Sequence, residues 1–125
     1  MYVERHTINL TTDASGDATG YTPVVTGRVI SVQYVADGST PFDNTADFTI
    51  TGEDSGQTIW AESNLTTSKT VAPRQATHST AGVASLYAAA GTAVQDHVYL
   101  ASERIKLVVA QGGNVKIGQF RVTIG

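Results

Sequence analysis

Apolar residues recur at every second position along most of this chain. In YVERHTINLTT, residues 2–12, Tyr2, His6, Ile8 and Leu10 share one parity, the period of a half-buried strand. PVVTGRVISVQYVA is apolar on both parities, with Val25, Val29 and Val35 set against Ile30, Val32 and Tyr34. A run apolar on both faces predicts a central strand. DFTITGE alternates Phe48 and Ile50 with Thr49 and Thr51, and TIWAES resumes the pattern after EDSGQ, which predicts a hairpin. HVYLA reads as a short strand. RIKLVVAQ places Ile105, Leu107 and Val109 on one face, and VKIGQFRVTI does the same with Phe120, Val122 and Ile124. The GGN between them suits positive φ and predicts a second hairpin. Gly118, inside the last run, predicts a bulge or a close contact.

Between these runs lie DASGDATG and DGSTPFDNTAD, both rich in turn formers. The region 63–96 fits the strand pattern least. Within it, Val83, Leu86, Tyr87 and Ala90 fall at helical spacing, with Thr80 and Gly91 suited to cap a short helix near 81–90. Val83, Ser85 and Tyr87 alternate equally well as a strand, and the pattern does not separate the two. A region of this length without structure is unusual in a compact domain unless it carries function. About seven to eight strands with no long amphipathic helix predict an all-β fold, an antiparallel β-sandwich or jelly roll. A length of 125 residues predicts one domain, residues 1–125.

Composition supports that reading and removes several functions. Charged residues are only 15% of the chain, so the polar surface rests on 18 Thr and 12 Gly, residues of strands and turns. The formal net charge is −3 and no two Lys or Arg are adjacent, which argues against phosphate-driven nucleic-acid binding. There is no cysteine, hence no disulfide framework and no thiolate nucleophile or ligand. Glu4, Arg5 and His6 interrupt the start of the chain, so no signal segment is expected there. No run approaches the ~18 apolar residues of a membrane span. The expected site of synthesis is the cytoplasm.

The one crowd of chemistry-bearing residues is VAPRQATHSTAG, Val71 to Gly82. His78 and Ser79 are sequence neighbours and point apart in an extended chain, so they do not form a nucleophile and base. A Pro-stiffened contact loop fits better, with Arg74 as a hydrogen-bond fork. Asp13 and Asp17 in one loop, and Asp37, Asp43 and Asp47 in another, lack the spacing of a calcium loop. His6, His78 and His97 lack metal-ligand spacing. Glu53 and Asp54 sit at a hairpin tip, the wrong place for a glycosidase pair. Trp60 reads as core or interface. No metal or cofactor is expected.

Four stretches, GYTPVVTGRVISVQYV, DFTITGEDSGQTIW, APRQATHSTAGVASLY and ERIKLVVAQGGNVKIGQFRVTIG, together resemble small head proteins of tailed bacteriophages and span most of the chain. None is a catalytic signature. The resemblance implies a non-enzymatic capsid decoration or cement protein. Such a protein sits on the virion's outer capsid surface as a dimer or trimer, with the major capsid protein as partner. A carbohydrate- or receptor-binding module of a phage tail or fibre is the alternative. The expected interface elements are Pro73, Arg74, Gln75 and His78 in the loop, Tyr87 beyond it, and the segment Tyr2, Val3, Glu4 and Arg5, where a chain terminus is free to reach a neighbour.

Overall fold

The computed structural model describes residues 2–125. Alternating apolar residues build ten strands: β1 (Glu4–Thr11), β2 (Ala18–Tyr21), β3 (Val25–Ala36), β4 (Asp47–Gly52), β5 (Thr58–Ser63), β6 (Lys69–Val71), β7 (Arg74–Ala76), β8 (Gln95–Glu103), β9 (Ile105–Ala110) and β10 (Ile117–Ile124). They form two antiparallel sheets. One runs β1-β10-β3-β8-β7 with β6 also joined to β3; the other runs β2-β9-β4-β5. The expected all-β sandwich is the observed fold. The expected strand number falls short because β2, β6 and β7 have only 4, 3 and 3 residues, too few for an alternation to register.

Apart from β6 and β7, the strands pair as nested antiparallel couples, first with last. These are β1 with β10, β2 with β9, β3 with β8, and β4 with β5. Nesting of this kind is the jelly roll. It corrects one expectation. β9 and β10 do not form a hairpin, since β9 pairs with β2 and β4 while β10 pairs with β1 and β3. Each of the two strands has a buried face, and the faces belong to opposite layers. The chain therefore crosses the sandwich at Gln111–Lys116. Other loops stitch that crossing: Thr12 Oγ1 donates to the Gly113 carbonyl at 2.6 Å and accepts from the Lys116 N–H at 2.7 Å. The β4–β5 hairpin forms as expected.

β3 is the central strand its two-sided pattern predicts. It pairs with β10 along one edge and with β8, then β6, along the other. Val29, Val32 and Tyr34 from β3 meet Phe48 and Ile50 from β4 and Ile105, Leu107 and Val109 from β9 in one core. An aromatic cluster joins the layers. The Tyr34 ring lies 4.8 Å from Phe48 and 5.4 Å from Phe120 and stacks on Phe42 at 5.7 Å. Phe48 also meets Phe120 at 5.0 Å and Trp60 at 5.8 Å. Burial pushes the Tyr34 hydroxyl above its ordinary pKa.

Gly118 makes the close approach its position suggests. A Cβ there would stand 2.4 Å from Cε2 of Phe42, inside contact distance of a ring fixed on two sides. Gly118→Ala is expected to lower stability by roughly 1–3 kcal/mol, read from urea unfolding.

One buried carboxylate holds the β4–β5 turn. Glu103 is 5% exposed, and its Oε1 accepts from Asp54 N–H, Ser55 N–H and Ser55 Oγ, each at 3.1 Å. Beside it, Glu53 forms a bidentate pair with Arg104 at 2.6 and 2.5 Å, and Arg104 lies 4.1 Å over the Tyr21 ring. The second pair is exposed and screened; the first serves three donors from a site closed to water. Glu103→Ala is therefore expected to cost roughly 1–3 kcal/mol in thermal unfolding. Glu53→Ala is expected to cost measurably less in the same assay.

Candidate interaction arm

The long connection between β5 and β8 is where the chain leaves the jelly roll. β8 pairs with β3 up to Val29↔Val98 and then separates from it. β6 takes over the rest of that edge, from Val32↔Val71 to Tyr34↔Lys69. The chain turns at Ala72 and Pro73, and β7 pairs with the freed start of β8, Arg74↔His97 through Ala76↔Gln95. Pro73 is buried at this turn, where its fixed φ and missing N–H suit a reversal.

Beyond β7 the arm closes on itself. Thr77 N–H donates to the Val94 carbonyl at 2.8 Å, Val94 N–H to Ser85 at 2.9 Å, and Ser85 N–H to Thr77 at 3.0 Å. The three bonds form a ring. Two tongues project from it. The first, 77–85, is held by Ser79 N–H to the Val83 carbonyl at 2.8 Å and the His78↔Ala84 bridge, and turns at Gly82 with φ +77°. The second, 85–94, is held by Tyr87 N–H to the Thr92 carbonyl at 3.0 Å and the Leu86↔Ala93 bridge. These pairings decide the ambiguity at 81–90 against the helix. The amides of Ser85 and Tyr87 donate across the tongues rather than four residues back, and Gly82 adopts a left-handed conformation foreign to a right-handed helix.

The arm is ordered without a core. From Arg74 to His97 no residue is buried. The junction residues Thr77, Ser85 and Val94 are half-buried, as are Ala76, Ala93 and His97. Large apolar side chains face outward: Tyr87 is 75% exposed, Val83 65% and Leu86 44%. None of the chain's eleven acidic and eight basic side chains falls between Arg74 and Asp96.

The residues expected at an interface divide between two places. Arg74, Gln75, His78 and Tyr87 are exposed on the arm. Arg74 is folded back, with Nη1 donating to the Pro73 carbonyl at 2.8 Å, and Gln75 Nε2 donates to the His97 carbonyl at 3.4 Å. Tyr2 and Val3 are exposed just before β1, and Glu4 and Arg5 open that strand. β1 and β7 end the same sheet on opposite sides, four strand spacings apart, roughly 19 Å. The two expected elements are thus separate surfaces. Sequence reasoning passed over Val83, Leu86 and the Thr77–Ser85–Val94 ring. The charge-free gap between Arg74 and Asp96 was the available signal for the first two.

The remaining candidates resolve into structural roles. Ser79 Oγ accepts from the Ala81 and Val83 amides at 3.3 and 3.4 Å, closing the first tongue. Asp13 accepts from Ser15 and Asp17 amides, and Asp37 from Ser39 and Thr40. No cluster of three metal-ligating side chains occurs among the described residues. Trp60 is 7% exposed. Among the described residues no helix is long and apolar enough to cross a membrane.

At the arm's base, Asp96 Oδ1 accepts from the His97 amide at 2.7 Å and lies 3.3 Å from His97 Nδ1, while Tyr99 Oη donates to Oδ2 at 3.4 Å. The His97 amide and ring hold this carboxyl below its ordinary pKa. Arg104 does the same for Glu53, and the Thr40 and Ser39 amides for Asp37. A depressed folded pKa contributes stability above the unfolded value, lost as pH falls through the folded one. The melting temperature is therefore expected to be insensitive to these groups at neutral pH and to fall below roughly pH 4. Asp96→Asn is expected to remove part of that acid dependence, measured by melting from pH 2 to 7.

No family model matches the chain, and no curated protein matches it. A solved structure that is similar is a crystal structure of FlhE, with a TM-score of 0.47 and 12% identity over 98% of this chain and 96% of that one. The structure found is named for FlhE and not for a phage protein, and the expected function as a capsid decoration protein, with its phage tail or fibre alternative, is corrected to that extent. The stretches that carried the resemblance are mostly the strands and turns of β3, β4, β5, β9 and β10. Such segments report a sandwich and no particular use of it.

Proposed function

We propose that this chain is a non-enzymatic interaction module: a jelly-roll scaffold that presents the arm to a neighbouring protein. One observation carries the reading, the ordered arm with no buried side chain from Arg74 to His97 and no charged one from Gln75 to Gln95. Fixing a residue's backbone costs roughly 1–2 kcal/mol, a cost that apolar burial normally offsets. Here the backbone ring and tongues impose the order, and the apolar side chains stay in water. Exposed apolar surface on a rigid element marks an interaction site. Depletion of charge is one mark of an interface centre, and Tyr87 adds an exposed aromatic to it. Order before contact reduces the entropy lost on docking. The hydroxyl of Ser79, committed to its own turn, supports a binding role over a nucleophilic one.

The reading is tested with a photo-crosslinking residue at Tyr87, and at Val24, also exposed, as control, in cells that make the protein natively. A discrete protein adduct is expected from position 87 and none from 24. No adduct at 87, or equal adducts at both, overturns the proposal.

A further inference from the structure

Resting on that reading, we propose that the arm's partner is a second copy of this chain, joined arm to arm about a two-fold axis. Three observations converge on this occupant. The first is charge. At a two-fold contact, residues near the axis meet their own symmetry mates, so any charged side chain there faces a like charge. The rest of the chain carries all the Asp, Glu, Lys and Arg, with net charge −3; the arm from Gln75 to Gln95 carries none. It is the longest stretch of the chain that can face itself without repulsion.

The second is the poor match between the tongues and a cleft elsewhere among the described residues. A head-to-tail contact needs a cavity that fits the tongues. The cleft between β1, β3 and β10 is about 190 Å³. Its lining sets the Asp37 carboxylate and the Asn9 and Gln119 amides among Val35, Ala36 and Ile117, and an uncharged apolar tip seated there would strip water from that carboxylate without replacing it. Tongue against tongue instead sets Val83, Leu86 and Tyr87 against the same residues.

The third is size. A stable interface takes about 20–30 residues from each side, and the charge-free stretch from Gln75 to Gln95 is of that length. Such a contact leaves the opposite edge of the sheet, at β1, outside the dimer.

Sedimentation velocity of the purified chain from about 1 to 100 µM tests this, with melting curves to confirm that each variant is folded. The wild type is expected to sediment as a dimer. Tyr87→Asp and Leu86→Asp, which introduce paired like charges, are each expected to raise the dimer dissociation constant at least ~100-fold without lowering the melting temperature of the monomer. Tyr2→Asp, at the far edge, is expected to leave it unchanged. A monomeric wild type at 100 µM overturns the second-copy proposal. So does a dimer broken by Tyr2→Asp but not by Tyr87→Asp. A monomer whose position 87 crosslinks a different protein in cells sinks the second copy and leaves the docking reading standing.

Discussion

The contact of Phe48 with Tyr34 and Phe120 is the interaction on which the rest of this molecule depends. Two rings come from one sheet and one from the other, so the cluster fixes the spacing and the relative placement of both layers. Strand register then follows. Tyr34 lies opposite Phe120 across β3 and β10, and Phe48 opposite Val109 across β4 and β9. A slip of one residue in any of these strands would turn an aromatic ring into water and a polar residue into the core. Offset and edge-on aromatic pairs add specific geometry to plain burial, which suits a sandwich short of charge at its surface and without covalent cross-links.

Around that core, polar groups act as fasteners between chain crossings. Thr12 bonds the backbone at Gly113 and Lys116, and Thr22 Oγ1 accepts from the Ile105 amide at 2.9 Å. Glu103 binds the β4–β5 turn from the opposite layer. In a jelly roll nearly every connection changes sheet, so the connections cannot rest on the ladder bonds of a simple hairpin. Buried Thr and Glu side chains fill that need at the crossing points, where backbone groups would otherwise lie unpaired.

Much of the scaffold was legible in the sequence because a period of two is a direct consequence of one-face burial. β1, β3, β4, β5 and β10 stand where the alternation places them, and Gly118 makes the contact its position predicts. The pairing of β9 with β2 was not legible. Periodicity says that a face is buried, not which layer buries it, and the GGN link satisfies a hairpin and a sheet crossing equally. The helix permitted near 81–90 failed for a related reason. The bonds that exclude it join Thr77, Ser85 and Val94, residues eight to seventeen positions apart, and no local spacing announces them. Arg74 and Tyr87 were singled out by residue type, and both are exposed on the arm. The apolar tongues around them were hidden by their resemblance to ordinary core sequence.

The separation of β8 from β3 at Val98 has a consequence for how this architecture changes over time. β6 closes the vacated edge of β3, and β7 closes the start of β8, so the arm enters and leaves through two strands that are already paired. Everything between Ala76 and Gln95 can be lengthened, trimmed or replaced while the eight nested strands keep their partners. The jelly roll thus behaves as a fixed socket and the arm as an interchangeable fitting. Chains sharing this scaffold are free to diverge in what they hold while remaining alike in how they stand.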